Sequence, residues 1–331
     1  MTLLSVQGLH THYHVEQGTL RAVDDVSFEI AEGETVGVVG ESGCGKSVTA
    51  RSIMGLLPRR IGEIAAGEIR FAARGGTLDL AQQDPLGPVM RDIRGNDIGM
   101  IFQEPMTSLN PVYTIGAQIV EAIRLHSDLS KADAWAKAEQ LLERVGINEP
   151  ARRAKQYPHA FSGGMRQRAM IAMALSSDPR LLIADEPTTA VDVTVEAQIL
   201  ALLEELKRER NMALMLITHD LNVVGEIADR VIVMYLGRVV ETTTAARVFD
   251  DPKHPYTRGL LASLPSLGRR TRLTPIEGTV PGPHQRPAGC PFAPRCAQAT
   301  EKCNTQPPTF RIDAETSVAC WLYDDAEAGH A

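Results

Sequence analysis

The sequence has no apolar run near the roughly 18 to 20 residues that a membrane-spanning helix requires. Its longest apolar runs are MALMLI and VIVMYL. No basic segment followed by an apolar stretch opens the chain, so we expect no secretory signal. Basic residues are not in excess, since 34 Lys and Arg stand against 41 Asp and Glu, and the net charge of −7 disfavours a protein that coats nucleic acid. The expected compartment is the cytoplasm, where disulfides are rare.

A glycine-rich loop, GESGCGKS at 40–47, lies between an apolar run at 35–39 and a helical pattern that begins near Lys46. Glycines allow a tight turn in which backbone N–H groups point at phosphate oxygens, and the following helix presents its positive end. In this spacing, Lys46 is expected to reach the β- and γ-phosphates, and the Ser47 hydroxyl to ligate Mg²⁺. Cys44 is expected to fill space rather than to sense redox state. The loop residues predicted to bind nucleotide are Gly40, Ser42, Gly43, Cys44, Gly45, Lys46, Ser47 and Val48.

Two further motifs place polar side chains at the ends of apolar strands, where α/β sheets bind ligands. LLIADEP, ending at 187, contains adjacent carboxylates. Asp185 suits a Mg²⁺ contact, whereas Glu186 points elsewhere because strand side chains alternate, and it suits a general base for the attacking water. In LITHDL, His219 follows another apolar strand, and we expect it to contact the γ-phosphate and to hold Glu186 and the water. Lys46, Glu186 and His219 are the predicted catalytic residues.

Strands and helices alternate through the first three quarters of the chain, which predicts an α/β fold. Apolar runs at 180–185 and 212–218 are typical of strands that a parallel sheet buries on both faces. Helical patterns are expected at about 46–56, 112–126, 131–145 and 194–210, with a further helix beginning near Gly163.

The C-terminal quarter differs in composition, which predicts a small Cys/Pro-rich domain at 251–331 after a boundary near Asp250. It holds eleven of the twenty prolines and four of the five cysteines. Little periodicity follows Leu264, so we expect something other than a large apolar core to hold this tail together.

Four further features lie in the first 250 residues. FSGGMRQR at 161–168 is similar to the signature sequence of ABC ATPases, usually LSGGQ. Gln103 in IFQEP resembles the Q-loop glutamine, and Asp192 in AVDV resembles the D-loop aspartate. Tyr13 stands where the family has an aromatic residue that stacks on adenine.

The resemblance implies a P-loop ABC ATPase core at 1–250, with a mixed sheet, flanking helices and a helical subdomain at about 104–178. It implies ATP and Mg²⁺ as ligands, with Gln103 joining Ser47 and Asp185 around the metal. In this family two subunits pair head to tail, so the signature loop serves ATP held by the partner subunit. The residues concerned are Ser162, Gly163, Gly164 and Met165.

A narrower resemblance rests on three segments, which are EPMTSLNPVYTIGAQI at 104–119, DEPTTAVDVT at 185–194 and HPYTRGLL at 254–261. They are similar to segments of the ATPase subunits of bacterial dipeptide and oligopeptide importers. Nickel and glutathione importers belong to the same branch and stay as alternatives. The resemblance implies a second ATPase subunit, favoured to be a paralogue, two membrane permease subunits, an indirectly associated substrate-binding protein, and a peripheral position on the cytoplasmic face of the bacterial inner membrane. No nucleic-acid partner is expected.

The match is not complete. Phe161 and Met165 replace the commoner Leu and Gln of the signature, and Val191 stands where the D-loop usually has Leu. We expect these residues to tune hydrolysis rather than abolish it. The partly apolar segment at 104–126 either borders a groove for a permease helix or forms an ordinary core face, and the two interpretations can coexist.

Four cysteines in the tail are spaced C-x5-C-x6-C-x16-C. Four thiolates in a short cytosolic segment suggest a metal centre, although these gaps are wider than those of structural zinc sites. The peptide-importer resemblance favours a [4Fe–4S] cluster, and zinc or free thiols stay as alternatives. The residues concerned are Cys290, Cys296, Cys303 and Cys320.

Two other function classes are less consistent with the sequence. An ABC ATPase acting on DNA would be expected to insert a long coiled coil or a zinc module between the glycine-rich loop and the signature, and one acting on ribosomes to carry two cassettes. This sequence has one cassette, 116 residues between Lys46 and Gly163 without a long heptad run, and an acidic balance. A redox sensor with a vestigial ATPase is disfavoured because Lys46, Asp185, Glu186 and His219 are all present.

Overall fold

The computed structural model describes residues 1–104, 108–188, 193–264, 275–282 and 285–324. Asp192 and Val191 of the predicted D-loop, and Met106 of the 104–126 segment, lie outside the described residues. The helices described are α1 (Lys46–Ile53), α2 (Pro88–Asp92), α3 (Ile115–Leu125), α4 (Lys131–Arg144), α5 (Pro150–Arg153), α6 (Gly163–Ala174), α7 (Val193–Arg210), α8 (Leu221–Ile227), α9 (Ala245–Asp250) and α10 (Pro255–Ala262). None of these described helices combines the length and apolar character needed to cross a membrane.

An antiparallel sheet of four strands is built from the N-terminal residues. Its strands are β1 (Thr2–Val15), β2 (Gly18–Ala31), β4 (Gly62–Ala73) and β5 (Gly76–Asp79), in the order β2-β1-β4-β5. Along the second half of β2, buried and exposed residues alternate, because one face packs on the core and the other faces solvent. This sheet carries Tyr13 to the edge of the pocket described below.

A mixed sheet of eight strands forms the centre of the molecule. Its strands are β3 (Thr35–Val39), β6 (Ile98–Ile101), β7 (Leu181–Asp185), β8 (Ala213–Thr218), β9 (Arg230–Tyr235), β10 (Arg238–Thr244), β11 (Phe310–Arg311) and β12 (Ser317–Val318), in the order β11-β12-β10-β9-β3-β8-β7-β6. The five strands from β9 to β6 are parallel. Strands β3, β6, β7 and β8 are buried along their whole length, as their apolar runs predict.

The helix ends follow from local chemistry. The Ser162 side chain accepts a hydrogen bond from the Met165 amide (3.3 Å) and so caps the start of α6. Thr114 and Ser130 cap α3 and α4 in the same way. The helix predicted to reach residue 56 ends at Ile53, because Gly55 adopts the left-handed conformation (φ 61°) that terminates helices.

The tail extends the central sheet and packs on the main core, and it also has a small apolar cluster of its own around Phe310, Val318 and Cys320. Strand β12 pairs with β10, and β11 pairs with β12, so the central sheet continues into the C-terminal residues. Tyr256, Cys290 and Phe292 are buried in the same apolar cluster as the helices and the central sheet. Part of the tail therefore packs on the core of the preceding domain, and the expectation that something other than a large apolar core holds the tail together stays a prediction. The boundary between 250 and 251 stays a prediction.

Candidate functional site

The glycine-rich loop connects β3 to α1 at the carboxyl end of the central sheet. Gly45 has a φ of 101°, and a Cβ there would lie 2.6 Å from the Ala22 carbonyl oxygen, so only glycine fits. The Lys46 ammonium donates to the carbonyl oxygens of Gly40 (2.7 Å) and Glu41 (3.2 Å). The loop thus holds its cation inside the turn, beside the free N–H groups at the start of α1.

A pocket of about 460 Å³ opens beside this loop. It brings together residues that the sequence separates by more than 170 positions, from Tyr13 to Glu186. The predicted site residues that line it are Tyr13, Ser42, Gly43, Cys44, Gly45, Lys46, Ser47, Val48, Gln103 and Glu186. The aromatic ring of Tyr13 and the glycine-rich loop with its lysine line the same pocket, and such groups suit the base and the phosphates of a nucleoside triphosphate.

The first carboxylate of the acidic pair meets the loop. The Ser47 hydroxyl donates a 2.8 Å hydrogen bond to Asp185 at the end of β7. Burial raises the pKa of Asp185 above its ordinary value, and the hydrogen bond from Ser47 opposes this rise only in part. A hydroxyl and a carboxylate in contact are the oxygen donors that Mg²⁺ prefers, so this pair fits the metal.

The second carboxylate takes a strained backbone position. Glu186 has a φ of 48°, which non-glycine residues rarely adopt, and its amide donates to the Ile217 carbonyl of β8 (2.9 Å). Gln103 donates to the Glu186 carboxylate (3.0 Å), and His219 Nδ1 lies 3.7 Å from its other oxygen. Glu186 therefore lies between His219, which the sequence predicted to hold it, and Gln103, which the sequence predicted only as a ligand of ATP and Mg²⁺.

The signature residues lie away from this pocket. Ser162, Gly163, Gly164 and Met165 form the first turn of α6 and are not among the residues that line it. His219 is also outside the lining and is about two-thirds exposed. The chain thus places the loop and the acidic pair at one site, and the signature at another.

Sequence reasoning missed several residues that line the pocket. The turn at 236–237 and the tail residues Val280, Pro281, Gly282 and Arg286 all contribute to it. Arg286 forms an ion pair with Asp24 (3.1 Å). A Leu-Gly pair between two apolar runs signals a turn, but no sequence pattern indicates that the tail folds back over the glycine-rich loop.

The four tail cysteines line one second cavity of about 410 Å³. The amide of Cys290 donates to the carbonyl of Cys303 (2.9 Å), and none of the four cysteines forms a disulfide. Burial, with the charges of the other three cysteines, raises the pKa of Cys320 to about 11. Four thiols on one cavity are the donor set of an iron–sulfur or zinc centre. In the described parts of the chain, however, no three His, Cys, Asp or Glu side chains are gathered into a group that could hold a metal ion.

Comparison with known families gives two matches. Residues 23–189 match the ABC transporter family, and residues 240–303 match the oligopeptide/dipeptide transporter C-terminal region. The first match spans the glycine-rich loop, the signature and the acidic pair, and the second spans the start of the tail.

Curated relatives match along almost the whole chain. The dipeptide transport ATP-binding protein DppD of Bacillus subtilis is 51% identical over 99% of this chain and 97% of its own. The protein of the same name from Escherichia coli is 47% identical over 98% of each chain. Among solved structures, a dimeric post-hydrolysis state of the ATP-binding cassette MJ0796 with ADP and Pi superposes with a TM-score of 0.65, at 26% identity, over 73% of this chain and 99% of the other. The chain therefore belongs to the ATP-hydrolysing ATP-binding proteins of ABC transporters that carry the oligopeptide/dipeptide transporter C-terminal region.

Proposed function

We propose that this ATPase drives the import of dipeptides or oligopeptides through a membrane transporter. The observation that carries the proposal is the peptide-transporter C-terminal region at 240–303, together with relatives named for dipeptide transport that match along nearly the full length. In this proposal the site described above hydrolyses ATP, and separate membrane subunits form the path for the peptide.

Within the site, Tyr13 is proposed to stack on adenine, and the glycine-rich loop to surround the phosphates. Support comes from their position on one pocket, with the aromatic ring and the loop as two of its walls. Lys46 now binds carbonyls of its own loop, so phosphate oxygens would replace these acceptors. The proposal predicts that Lys46→Ala abolishes ATP binding.

For hydrolysis, we assign Glu186 as the general base and His219 as the group that orients it. The carboxylate has hydrogen-bond contact with Gln103 and lies near the imidazole. Ser47, Asp185 and Gln103 would hold Mg²⁺, which neutralises charge on the phosphates. Because Ser47 and Asp185 are already in contact, these two metal ligands would need little rearrangement to bind Mg²⁺.

A second ATPase subunit is proposed to complete the site. Ser162, Gly163, Gly164 and Met165 lie outside the pocket of their own chain, at the positive end of a twelve-residue helix, where they suit the phosphates of ATP held by a partner. The similar cassette MJ0796 is dimeric in its solved structure. We expect a paralogue as the partner.

The transporter as a whole is proposed to include two permease subunits and a substrate-binding protein, with this chain on the cytoplasmic face of the inner membrane. The exposed side chains Val112 and Tyr113 precede α3, and Leu125 ends it. They support a permease-facing surface there, while Ile115, Ile119 and Ile123 on the same segment are buried in the core.

The four tail cysteines are proposed to bind a [4Fe–4S] cluster, with zinc as the alternative. Their shared cavity supports this proposal, and the four thiols would have to move closer together to coordinate the metal. Such a cluster would cross-link the tail. Anaerobic purification with iron, sulfide and zinc assays separates the alternatives, and Cys320→Ser should lower both metal content and the thermal unfolding midpoint. A metal-free protein of unchanged stability would refute the proposal.

Import is tested with the complete transporter in proteoliposomes. Uptake of a labelled dipeptide that needs ATP, and that stops with Glu186→Gln in this subunit, would support the proposal. Uptake of nickel or glutathione in place of peptide would assign the chain to another importer of the same branch. ATP hydrolysis stimulated by DNA or ribosomes, with none stimulated by the permeases, would overturn the transport function.

A further inference from the structure

Glu41 is a carboxylate inside the loop that is proposed to receive the triphosphate. It forms a two-point ion pair with Arg295, whose Nη1 lies 2.7 Å from Oε2 and whose Nη2 lies 3.2 Å from Oε1. The two residues are 254 positions apart, and Arg295 belongs to the tail. A carboxylate in a phosphate-binding loop would repel the phosphates unless a cation neutralises it, and here the tail supplies that cation.

All five N–H donors of the Arg295 guanidinium are used. Beyond Glu41, Nη1 donates to the Tyr235 hydroxyl (3.3 Å), Nη2 to the Ile276 carbonyl (3.5 Å) and Nε to the Glu277 carbonyl (3.0 Å). The side chain is only 4% exposed. Burial disfavours its charge, but the hydrogen bonds to Glu41 and Tyr235 outweigh this and raise its pKa. Arg295 is thus a permanent cation with one fixed orientation.

A second tail residue fixes the backbone of Glu41. The Tyr256 hydroxyl accepts a hydrogen bond from the Glu41 amide (2.8 Å), and Tyr256 is fully buried. Its ring packs against Tyr235 and Phe292, with ring centroids 4.7 and 5.4 Å away. Residues of the tail therefore form hydrogen bonds with both the side chain and the main chain of Glu41.

Arg295 also connects the loop to the other tail residues around the pocket. The carbonyls that it binds, at 276 and 277, begin the segment whose residues 280–282 line the nucleotide pocket. Arg295 itself lies in a short 3-10 turn, Ala293–Arg295, between two of the cysteines that line the second cavity. One guanidinium thus links the phosphate loop, the end of β9 and the wall of the pocket.

We propose that Arg295 is a positioning residue for ATP binding, which acts by neutralising and holding Glu41 in the phosphate loop. The inference rests on the nucleotide site proposed above. It predicts that loss of the guanidinium weakens ATP affinity much more than it slows turnover at saturating ATP, because the catalytic side chains are untouched.

The test uses the full-length chain and measures MgATP affinity by calorimetry, with KM and kcat from steady-state hydrolysis. Arg295→Met should raise the Kd and KM for ATP at least tenfold while kcat stays within about threefold. Arg295→Lys, which keeps the charge but not the two-point geometry, should lie between wild type and Arg295→Met. If Arg295→Met fails to fold, Kd, KM and kcat of Arg295→Lys are compared with those of wild type instead, and Kd and KM should again rise more than kcat falls.

A double-mutant cycle with Glu41→Gln identifies the route of the effect. In the Glu41→Gln background, Arg295→Met should raise the Kd less than threefold, since no carboxylate is left to repel phosphate. Arg247→Met is the matched control, because it removes another tail ion pair, that with Asp313 (2.6 Å), away from the loop. Its Kd should equal that of wild type.

The outcomes are decisive in both directions. An unchanged ATP affinity in Arg295→Met, an equal loss in both backgrounds, or an equal loss in Arg247→Met would each overturn the inference. Loss of ATP binding in Lys46→Ala tests the nucleotide site itself, so binding that survives this substitution would instead refute the proposed site.

Discussion

His254, at the junction of cassette and tail, should make the folded state sensitive to acid. Its side chain is 1% exposed and caps α10, since Nδ1 accepts a hydrogen bond from the Tyr256 amide (3.0 Å). Burial, with a smaller contribution from the Arg258 charge, lowers its pKa from 6.5 to about 3. The imidazole is therefore neutral in the folded protein at any pH at which the protein is handled.

The sign and size of the effect follow from proton linkage. Between pH 6.5 and 3 the unfolded chain binds a proton at His254 that the folded chain does not, so the free energy of unfolding falls as the pH falls. One pKa unit corresponds to about 1.4 kcal/mol, so a drop from pH 7 to pH 5 should cost about 2 kcal/mol at this residue alone. A loss of this size is a large part of the stability of an ordinary domain.

The assay is reversible urea unfolding of wild type and His254→Asn at pH 7 and pH 5. Asparagine can still cap α10 with its side-chain oxygen, but it does not titrate. The variant should be less stable than wild type at pH 7, because the smaller side chain packs less well, yet should lose about 2 kcal/mol less between the two pH values. His159→Asn, at an exposed position, shows how much any such exchange alters the acid response.

The same fall in stability for wild type and His254→Asn would refute this reasoning. Such a result would mean that the folded state protonates His254 without cost, and that the imidazole has access to water or to an acceptor in the folded protein.

Three further predictions concern the site and the fold. Glu186→Gln should slow ATP hydrolysis by a factor on the order of 10² or more while ATP affinity is retained, because it removes a general base and little volume; undiminished turnover would contradict the assignment. Tyr13→Ala should weaken ATP binding roughly tenfold through lost stacking, with Tyr13→Phe near wild type in the same titration. Gly67→Ala should lower the free energy of unfolding by roughly 3 kcal/mol, since its Cβ would lie 2.4 Å from the Gly8 carbonyl oxygen at a φ of 99°. Gly75→Ala is the control and should leave the free energy of unfolding unchanged, because a Cβ there has no neighbouring atom within 4 Å.

The nucleotide half of the site could be predicted because its chemistry is local. The loop at 40–47 needs glycines, a lysine and a serine at fixed spacing, and Asp185 and Glu186 need only to follow a buried strand. The apolar runs around them place both motifs at the carboxyl end of one parallel sheet, and the structure shows Ser47 in contact with Asp185 there. The contact between Gln103 and Glu186 follows from the same sheet order.

The tail could not be predicted in the same way, because its contacts join distant residues without a local pattern. An arginine has the same appearance in sequence whether it faces solvent or, like Arg295, pairs with a loop residue 254 positions away. In the sequence, Tyr256 and Phe292 stand in a segment with too few large apolar residues to predict a core. In the structure they are buried against apolar residues of the preceding 250 positions.

The sequence by itself therefore determined the nucleotide chemistry of this protein, the α/β core and the positions of the motifs, because propensity, periodicity and motif spacing act over a few residues. Only the tertiary structure decided that the tail joins the central sheet through β12, that four cysteines share one cavity, and that Glu41 is paired with Arg295. These features depend on packing and on charge pairing between segments that meet only after the chain has folded.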